Sequence, residues 1–256
     1  MKGIVLAGGS GTRLHPVTKA VNKHLLPVYD KPMIYYPLST LKSAGITDIM
    51  IITTPEDKET FIDLLDNGDE FGLKLTYGIQ DRPNGIAEAF SIASEWLEGE
   101  PVTLILGDNI FYGEEITEVI NSCVAQTQLY GQAHIFTYQV SDPERYGVIK
   151  YNDDCVLESI VEKPTDYVSD RAVIGVYCYP NDIVDVASQI KQSPRGELEI
   201  TDVNNIYLSE GRMSVAHLGA GNAWLDTGTH DSLIEASMFV KTMQDRTNIK
   251  VGYINE

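Results

Sequence analysis

Between Gly3 and Leu106, short apolar runs alternate with helix-period segments, and this alternation restricts the fold more than any other feature of the chain. Gly3–Leu6 is an apolar run stopped by Gly8 and Gly9. Pro32–Ala44 reads as a helix, with Pro32 at its start and Gly45 just past its end. Asp48–Thr53 reads as a buried strand, Glu56–Leu65 as a helix and Leu75–Ile79 as a strand. Ile86–Leu97 follows as a helix and Val102–Leu106 as a strand. Strands separated by helices of this length need crossover connections, which gives a mostly parallel sheet flanked by helices. Ligands of such sheets bind beyond the carboxyl ends of the strands, so the loops after Leu6, Ile79 and Leu106 are the ones to watch.

The second half is richer in strands. Ala133–Val140, Val148–Tyr151, Val156–Glu162 and Val173–Tyr179 follow one another with short turns, and helical patterns return at Ile183–Ile190, Ile200–Ser209 and Asp231–Asp245. No internal repeat, low-complexity tract or Pro/Gly/Ser-rich linker divides the chain. Its 256 residues are expected to form one α/β domain with a substantial core.

The charge balance narrows the partners. With 19 basic against 37 acidic residues the net charge is −18, which opposes nucleic-acid binding and docking on anionic membrane. A small phosphorylated ligand remains compatible, because a few placed cations set the local field. Cys123, Cys155 and Cys178 form no C-x-x-C pair, so neither a disulfide framework nor a zinc site is expected. Met1–Leu6 leads straight into a strand without an apolar signal region, and no apolar stretch approaches the roughly 20 residues of a membrane helix. A reduced, cytoplasmic protein is the expectation.

Gly8-Gly9-Ser10-Gly11-Thr12-Arg13 follows the first strand. Glycines let backbone approach a phosphate and aim amide N–H groups at it. A Walker A loop would need Gly-Lys-Ser/Thr where Thr12-Arg13 stands, and the dinucleotide pattern would need a glycine where Leu14 stands. Many βα turns are glycine-rich for steric reasons alone. Here, however, Arg13 and Lys23 lie in a segment stiffened by Pro16, Pro27 and Pro32. One fork-shaped and one point-like cation suit a triphosphate. Asp108 follows one apolar strand and Asp226 ends another apolar stretch. Each is a hard oxygen ligand of the kind magnesium takes, or else a loop-capping Asp. The five histidines show no metal-binding spacing.

Leu6-Ala-Gly-Gly-Ser-Gly-Thr-Arg-Leu14, Lys23 and Leu26-Pro-Val-Tyr-Asp-Lys-Pro32 resemble the signature of the sugar nucleotidylyltransferases. Met33-Ile-Tyr-Tyr-Pro-Leu-Ser39 is similar to the glucose-1-phosphate thymidylyltransferase branch. Gly107-Asp-Asn-Ile-Phe-Tyr-Gly113, Asp142-Pro-Glu-Arg-Tyr-Gly147, Glu162-Lys-Pro164, Arg195-Gly-Glu-Leu-Glu-Ile-Thr-Asp202 and Trp224-Leu-Asp-Thr-Gly-Thr-His230 agree with it, so the likeness runs from residue 2 to about 251. It implies a Rossmann-like sheet in a single domain over 1–256. A nucleotide-binding half covers about 1–115 and a strand-rich sugar-phosphate half about 116–256.

The resemblance also implies transfer of a thymidylyl group from dTTP to glucose 1-phosphate, with Mg²⁺ held by Asp108 and Asp226. Nucleotide binding falls to Leu6, Gly8, Gly9, Gly11, Thr12, Arg13, Lys23, His24, Gln80, Gly85 and Asp108. Sugar-phosphate binding falls to Asn109, Tyr146, Gly147, Glu162, Lys163, Val173, Arg195 and Trp224. Arg13, Lys23, Lys163 and Arg195 carry the catalytic charge stabilisation. His24 stands where many thymidylyltransferases have Gln, which bears on base recognition or on loop geometry. Gln80-Asp-Arg-Pro-Asn-Gly-Ile86 departs from the commoner Gln-Pro-Ser-Pro-Asp-Gly at Asp81 and Arg82.

A homodimer or homotetramer and a place in deoxysugar nucleotide synthesis are implied likewise. Many such proteins continue for a few dozen residues past the segment that ends here at Glu256, with helices beside a regulatory nucleotide site between subunits. Feedback inhibition through those helices is not implied for this chain. A uridylyltransferase, a transferase for another hexose 1-phosphate, a non-catalytic nucleotide-sugar sensor and, more remotely, an oxidoreductase are the rival readings.

Overall fold

The opening apolar run forms β1 (Lys2–Leu6), in which Ile4 and Val5 are fully buried on opposite faces. Three single turns of 3₁₀ helix follow, and then β2 (Pro27–Val28) and β3 (Lys31–Pro32) form a short antiparallel pair. That pairing holds Pro32 extended, so α1 (Tyr35–Ser43) starts later than the expected Pro32. β4 (Asp48–Thr53), α2 (Lys58–Leu65) and β5 (Lys74–Ile79) complete the first alternation. β1 pairs with β4 in parallel from Gly3↔Ile49 to Leu6↔Ile52, and β4 with β5 from Asp48↔Lys74 to Thr53↔Ile79.

The expected helix over Ile86–Leu97 is two shorter ones, α3 (Glu88–Ile92) and α4 (Ser94–Leu97). Ala87 N–H donates to Leu198 O and Leu198 N–H to Asn84 O, which pins the preceding residues outside the helix. β6 (Val102–Leu106) is followed by β7 (Asn109–Tyr112) and by α5 (Glu114–Tyr130), neither of which the sequence pattern singled out. Then come β8 (Ala133–Gln139), β9 (Gly147–Tyr151), β10 (Leu157–Glu162) and β11 (Arg171–Tyr179). α6 (Ile183–Ala187) stops short of the expected Ile190. It is followed by α7 (Ile200–Ser209), β12 (Met213–His217), β13 (Ala223–Asp226) and α8 (His230–Thr247).

This is a computed structural model, and it describes residues 1–9 and 11–254, so Ser10 of the glycine loop lies outside the described residues. By their internal contacts the residues group into two units that interleave along the chain. The first comprises Lys2–Pro83, Leu104–Asn121 and Gly221–Glu256; the second comprises Met1, Asn84–Thr103 and Ser122–Ala220. The α/β class is as expected. The first unit carries the parallel strands β1, β4 and β5 and the antiparallel pair β7–β13. Its core includes Val28, Met33, Tyr36, Ile110, Ala236 and Val240. In the second unit β8–β11 and β9–β10 are antiparallel, and β12 joins β8 in parallel. A buried aromatic cluster, with Phe90 edge-on to Tyr179 at 5.3 Å and Tyr179 stacked on Tyr207 at 5.7 Å, fills its interior. No helix among the described residues is long and apolar enough to cross a membrane.

Candidate active site

In the first unit the loop after β1 turns through Gly9 and Gly11, both at positive φ, which glycine adopts without a Cβ penalty. Thr18 Oγ1 donates to Gly11 O at 2.7 Å and Leu14 is buried below, so the loop is anchored from two sides. Arg13 is left exposed. Asn22, buried, accepts from His24 N–H at 2.9 Å and donates to Asp57 Oδ2 at 2.7 Å and to Ala7 O at 3.3 Å. It thereby fixes the turn holding Lys23 and His24 to the end of β1.

Lys23 Nζ forms an ion pair with Asp108. Burial opposes the charge on Asp108, but Lys23 and hydrogen bonds from Lys23 and Asn109 outweigh it and hold the carboxyl well below its usual range. His24 lies 2% exposed beneath Gly107, where an added Cβ would stand 2.7 Å from the imidazole Cδ2. Burial first, and Lys23 second, lower its pKa to about 3, so the ring is neutral. Of the two roles open to His24, this placement favours loop geometry.

Strand pairing sets the backbone of Asp226 one position along the ladder from Asp108. β13 runs antiparallel to β7 with Asp226 opposite Asn109, and Thr227 donates to Asp108 O from its N–H at 3.1 Å and its Oγ1 at 2.7 Å. Residues opposed in such a ladder have Cα atoms about 4.5–5.5 Å apart, so Asp108 and Asp226 occupy adjacent rungs. Asn109 Nδ2 donates to Asp108 Oδ1 at 3.0 Å, and Trp224 Nε1 donates to Asn109 Oδ1 at 2.6 Å. A Cβ on Gly228 would meet both Asp226 Oδ1, at 3.0 Å, and Arg13 Nη1, at 3.2 Å, so Arg13 and Asp226 flank one point. Asp108, in the turn just before β7, and Asp226, at the end of β13, supply hard oxygen donors of the kind that fit a divalent cation. No third acid, His or Cys joins them in a metal-sized cluster among the described residues, which leaves the other ligands to phosphate oxygens and water. Gln80, 6% exposed, lines a cavity of about 510 Å³ with Gly9, Lys23 and Arg82.

The second unit assembles the other group. Glu162 lies opposite Gly147 in the β9–β10 ladder and accepts from Thr201 Oγ1 at 2.5 Å. Lys163, exposed and at positive φ, lies 3.6 Å from Glu162 and donates its backbone N–H to Tyr146 O. Arg195 donates to Glu199 at 2.8 Å and also meets Glu197 at 3.2 Å and Glu162 at 3.4 Å. Glu162, Lys163 and Arg195 line a cavity of about 1050 Å³. Val173, nearly buried, sits on β11. Gly85, expected at the nucleotide, belongs to this unit, and a Cβ there would stand 2.4 Å from Leu198 O; its close approach is to backbone. Asn109 and Trp224, expected at the sugar phosphate, lie in the first unit beside Asp108. The sequence reading passed over Thr18, Asn22, Thr201 and Thr227, whose hydroxyls and amide hold the named residues. Asn22, as the polar residue opening a turn, is the one with a local signal.

A family model described as nucleotidyl transferase matches residues 2–243. The chain belongs to that family. Glucose-1-phosphate thymidylyltransferase of Neisseria meningitidis is 53% identical over all of this chain and 88% of its own length, and that of Mycobacterium tuberculosis is 48% identical with the same coverage. Among solved structures, a Bacillus anthracis protein described as a glucose-1-phosphate thymidylyltransferase, in complex with sucrose, superposes with TM-score 0.85. It is 41% identical, over 93% of this chain and 94% of that one. A UDP-glucose pyrophosphorylase complexed with UDP-glucose gives 0.82 at 26% identity, over 94% and 98%. This nucleotidyl transferase is thus an enzyme whose family takes a nucleotide and a sugar phosphate as substrates and typically uses a divalent metal.

Proposed function

We propose that the chain transfers the thymidylyl group of dTTP to glucose 1-phosphate, giving dTDP-glucose and pyrophosphate. A phosphate oxygen of the sugar forms the new bond to the α-phosphorus as the bond to the β-phosphate oxygen breaks and its electron pair leaves on pyrophosphate. The nucleophile is already an anion, so no Ser, Cys or His is needed to create one. What must be overcome is repulsion between two anions and charge growing on the leaving group, so positioning and electrostatics carry the rate. The observation supporting this reading is the ladder that sets Asp226 one position from Asp108, with Lys23 on one carboxylate and Arg13 flanking the other.

Arg13 stabilises the departing pyrophosphate and Lys23 the triphosphate. Gln80 reads the base edge, with His24 shaping the loop beneath Gly107. In the second unit Lys163 and Arg195 hold the sugar's phosphate and Glu162 accepts from its hydroxyls. Both units serve as one nucleotidylyltransferase domain, working in the cytoplasm as a homodimer or homotetramer. Asp108 and Asp226 would hold Mg²⁺, which when bound would supply neutralisation of phosphate charge. The test is pyrophosphate release from a panel of four nucleoside triphosphates and several hexose 1-phosphates, with and without Mg²⁺. The expected winner is dTTP with glucose 1-phosphate. A preference for UTP would move the protein to the uridylyl branch, and no release from any pair would end the reading. Asp226→Asn should shift the Mg²⁺ midpoint at least about tenfold, as loss of a ligand implies, and an unchanged titration would remove Asp226 from the metal.

A further inference from the structure

Five charged side chains line the 510 Å³ cavity of the first unit: Lys19, Lys23, Arg82, Glu56 and Asp57. Lys23 is held by Asp108, and Asp57 accepts from Asn22 at 2.7 Å and Thr54 at 2.8 Å. Lys19 and Arg82 are the two cations of this lining with no carboxylate beside them. Among the described residues neither side chain makes a hydrogen bond or ion pair, whereas Lys31, Lys74, Lys150, Arg171, Arg212 and Lys241 each sit against a carboxylate.

The two reach that wall from separate segments. Lys19 closes a 3₁₀ turn directly after Thr18, the residue bonded to the glycine loop at Gly11 O. Arg82 follows Gln80 by two residues on the loop after β5. A nucleoside triphosphate entering here brings several negative charges into an acidic protein. At physiological salt, charges more than about 8 Å away are largely screened, so the cations on the wall decide whether it is attracted. Lys23 is paired with Asp108, which leaves Lys19 and Arg82 as the cations of this lining without a carboxylate partner.

We propose that Lys19 and Arg82 are binding residues for the nucleotide's polyphosphate, a second cationic contact apart from Arg13 and Lys23. The proposal rests on the reading that this cavity takes a nucleoside triphosphate. Calorimetric titration of the full chain with dTTP, inorganic tripolyphosphate and thymidine tests it in Lys19→Ser, Arg82→Ser and Arg82→Lys. Each Ser variant should bind dTTP and tripolyphosphate at least about tenfold more weakly, the size of one charge-assisted hydrogen bond. Thymidine binding should be unchanged, and Arg82→Lys should recover part of the loss. The fall of log affinity with log salt should also flatten in the Ser variants. Affinities for both phosphates within twofold of the parent would overturn the proposal. Equal weakening of thymidine would too, since it would put the contact at the base or in the fold. The tripolyphosphate arm does not depend on which base the enzyme prefers. If the variants lose tripolyphosphate while the parent makes no dTDP-glucose, the reaction assigned above fails and this assignment stands.

Discussion

The cations proposed to bind phosphate are held in opposite ways in the two units. In the first, Arg13, Lys19 and Arg82 have no carboxylate partner among the described residues, and Lys23 is held by an acid placed for a metal. In the second, Lys163 and Arg195 are surrounded by the protein's own acids: Glu162 serves both, and Glu197 and Glu199 add to Arg195. The negative field there is strong enough that burial together with Glu199 and Glu162 pushes the Asp202 carboxyl up. An anion meeting the first unit finds open donors. One meeting the second must share donors already in use, so its guanidinium is fixed in place before the substrate arrives. The first arrangement favours attraction of a highly charged ligand; the second favours orientation of a smaller one.

Substitutions can break or sharpen that contrast. The largest effect is expected from Arg13→Ala. Its side chain supports nothing in the fold, so kcat should drop about 10²–10³-fold, the loss typical of one preorganised donor, with an unchanged melting curve. A kcat within threefold of the parent would remove Arg13 from the reaction. Arg195→Ala should behave differently because Glu199, 7% exposed, would lose its counter-ion and keep only the Ser193 hydroxyl at 2.6 Å. Stability should fall by about 1–3 kcal/mol, the size of hydrogen bonds made by a charged group, and KM for glucose 1-phosphate should rise. If chemical denaturation shows no loss, the acids around Arg195 are not holding it and the contrast between the units collapses. The smallest effect is expected from Lys150→Ala. Lys150 and Glu158 pair at 2.8 Å, but both are about half exposed. Their removal should change stability by less than about 0.5 kcal/mol, separating the effect of burial from the effect of pairing.

The parallel strands of the first unit were legible because Gly3–Leu6 and Asp48–Thr53 are apolar runs punctuated by Gly and Pro, a signal local to each run. α5 was not, because Ile116, Thr117, Val119, Ile120 and Val124 argue for strand by propensity. Its buried residues Ile116, Ile120, Cys123 and Thr127 nonetheless fall on one helical face, which periodicity alone would have shown. The glycine loop and its cations could be read as a phosphate site from chemistry. That Asp226 stands opposite Asn109 could not, since a ladder between residues so distant in sequence leaves no trace in either segment. Nor could the capture of Arg195 by Glu199, which depends on the turn before α7, or the close contact of Gly85 with the Leu198 backbone.

The ladder between β7 and β13 also has a consequence for biosynthesis. The glycine loop, Lys23 and Asp108 leave the ribosome early, but Asp226 and Thr227 emerge only after the whole stretch Ser122–Ala220 has been made. A nascent chain halted at Ala220 would hold one carboxylate of the pair and an unmatched β7 edge. Divalent-ion affinity should therefore switch on late in translation, when the last segment docks onto a unit begun some two hundred residues before.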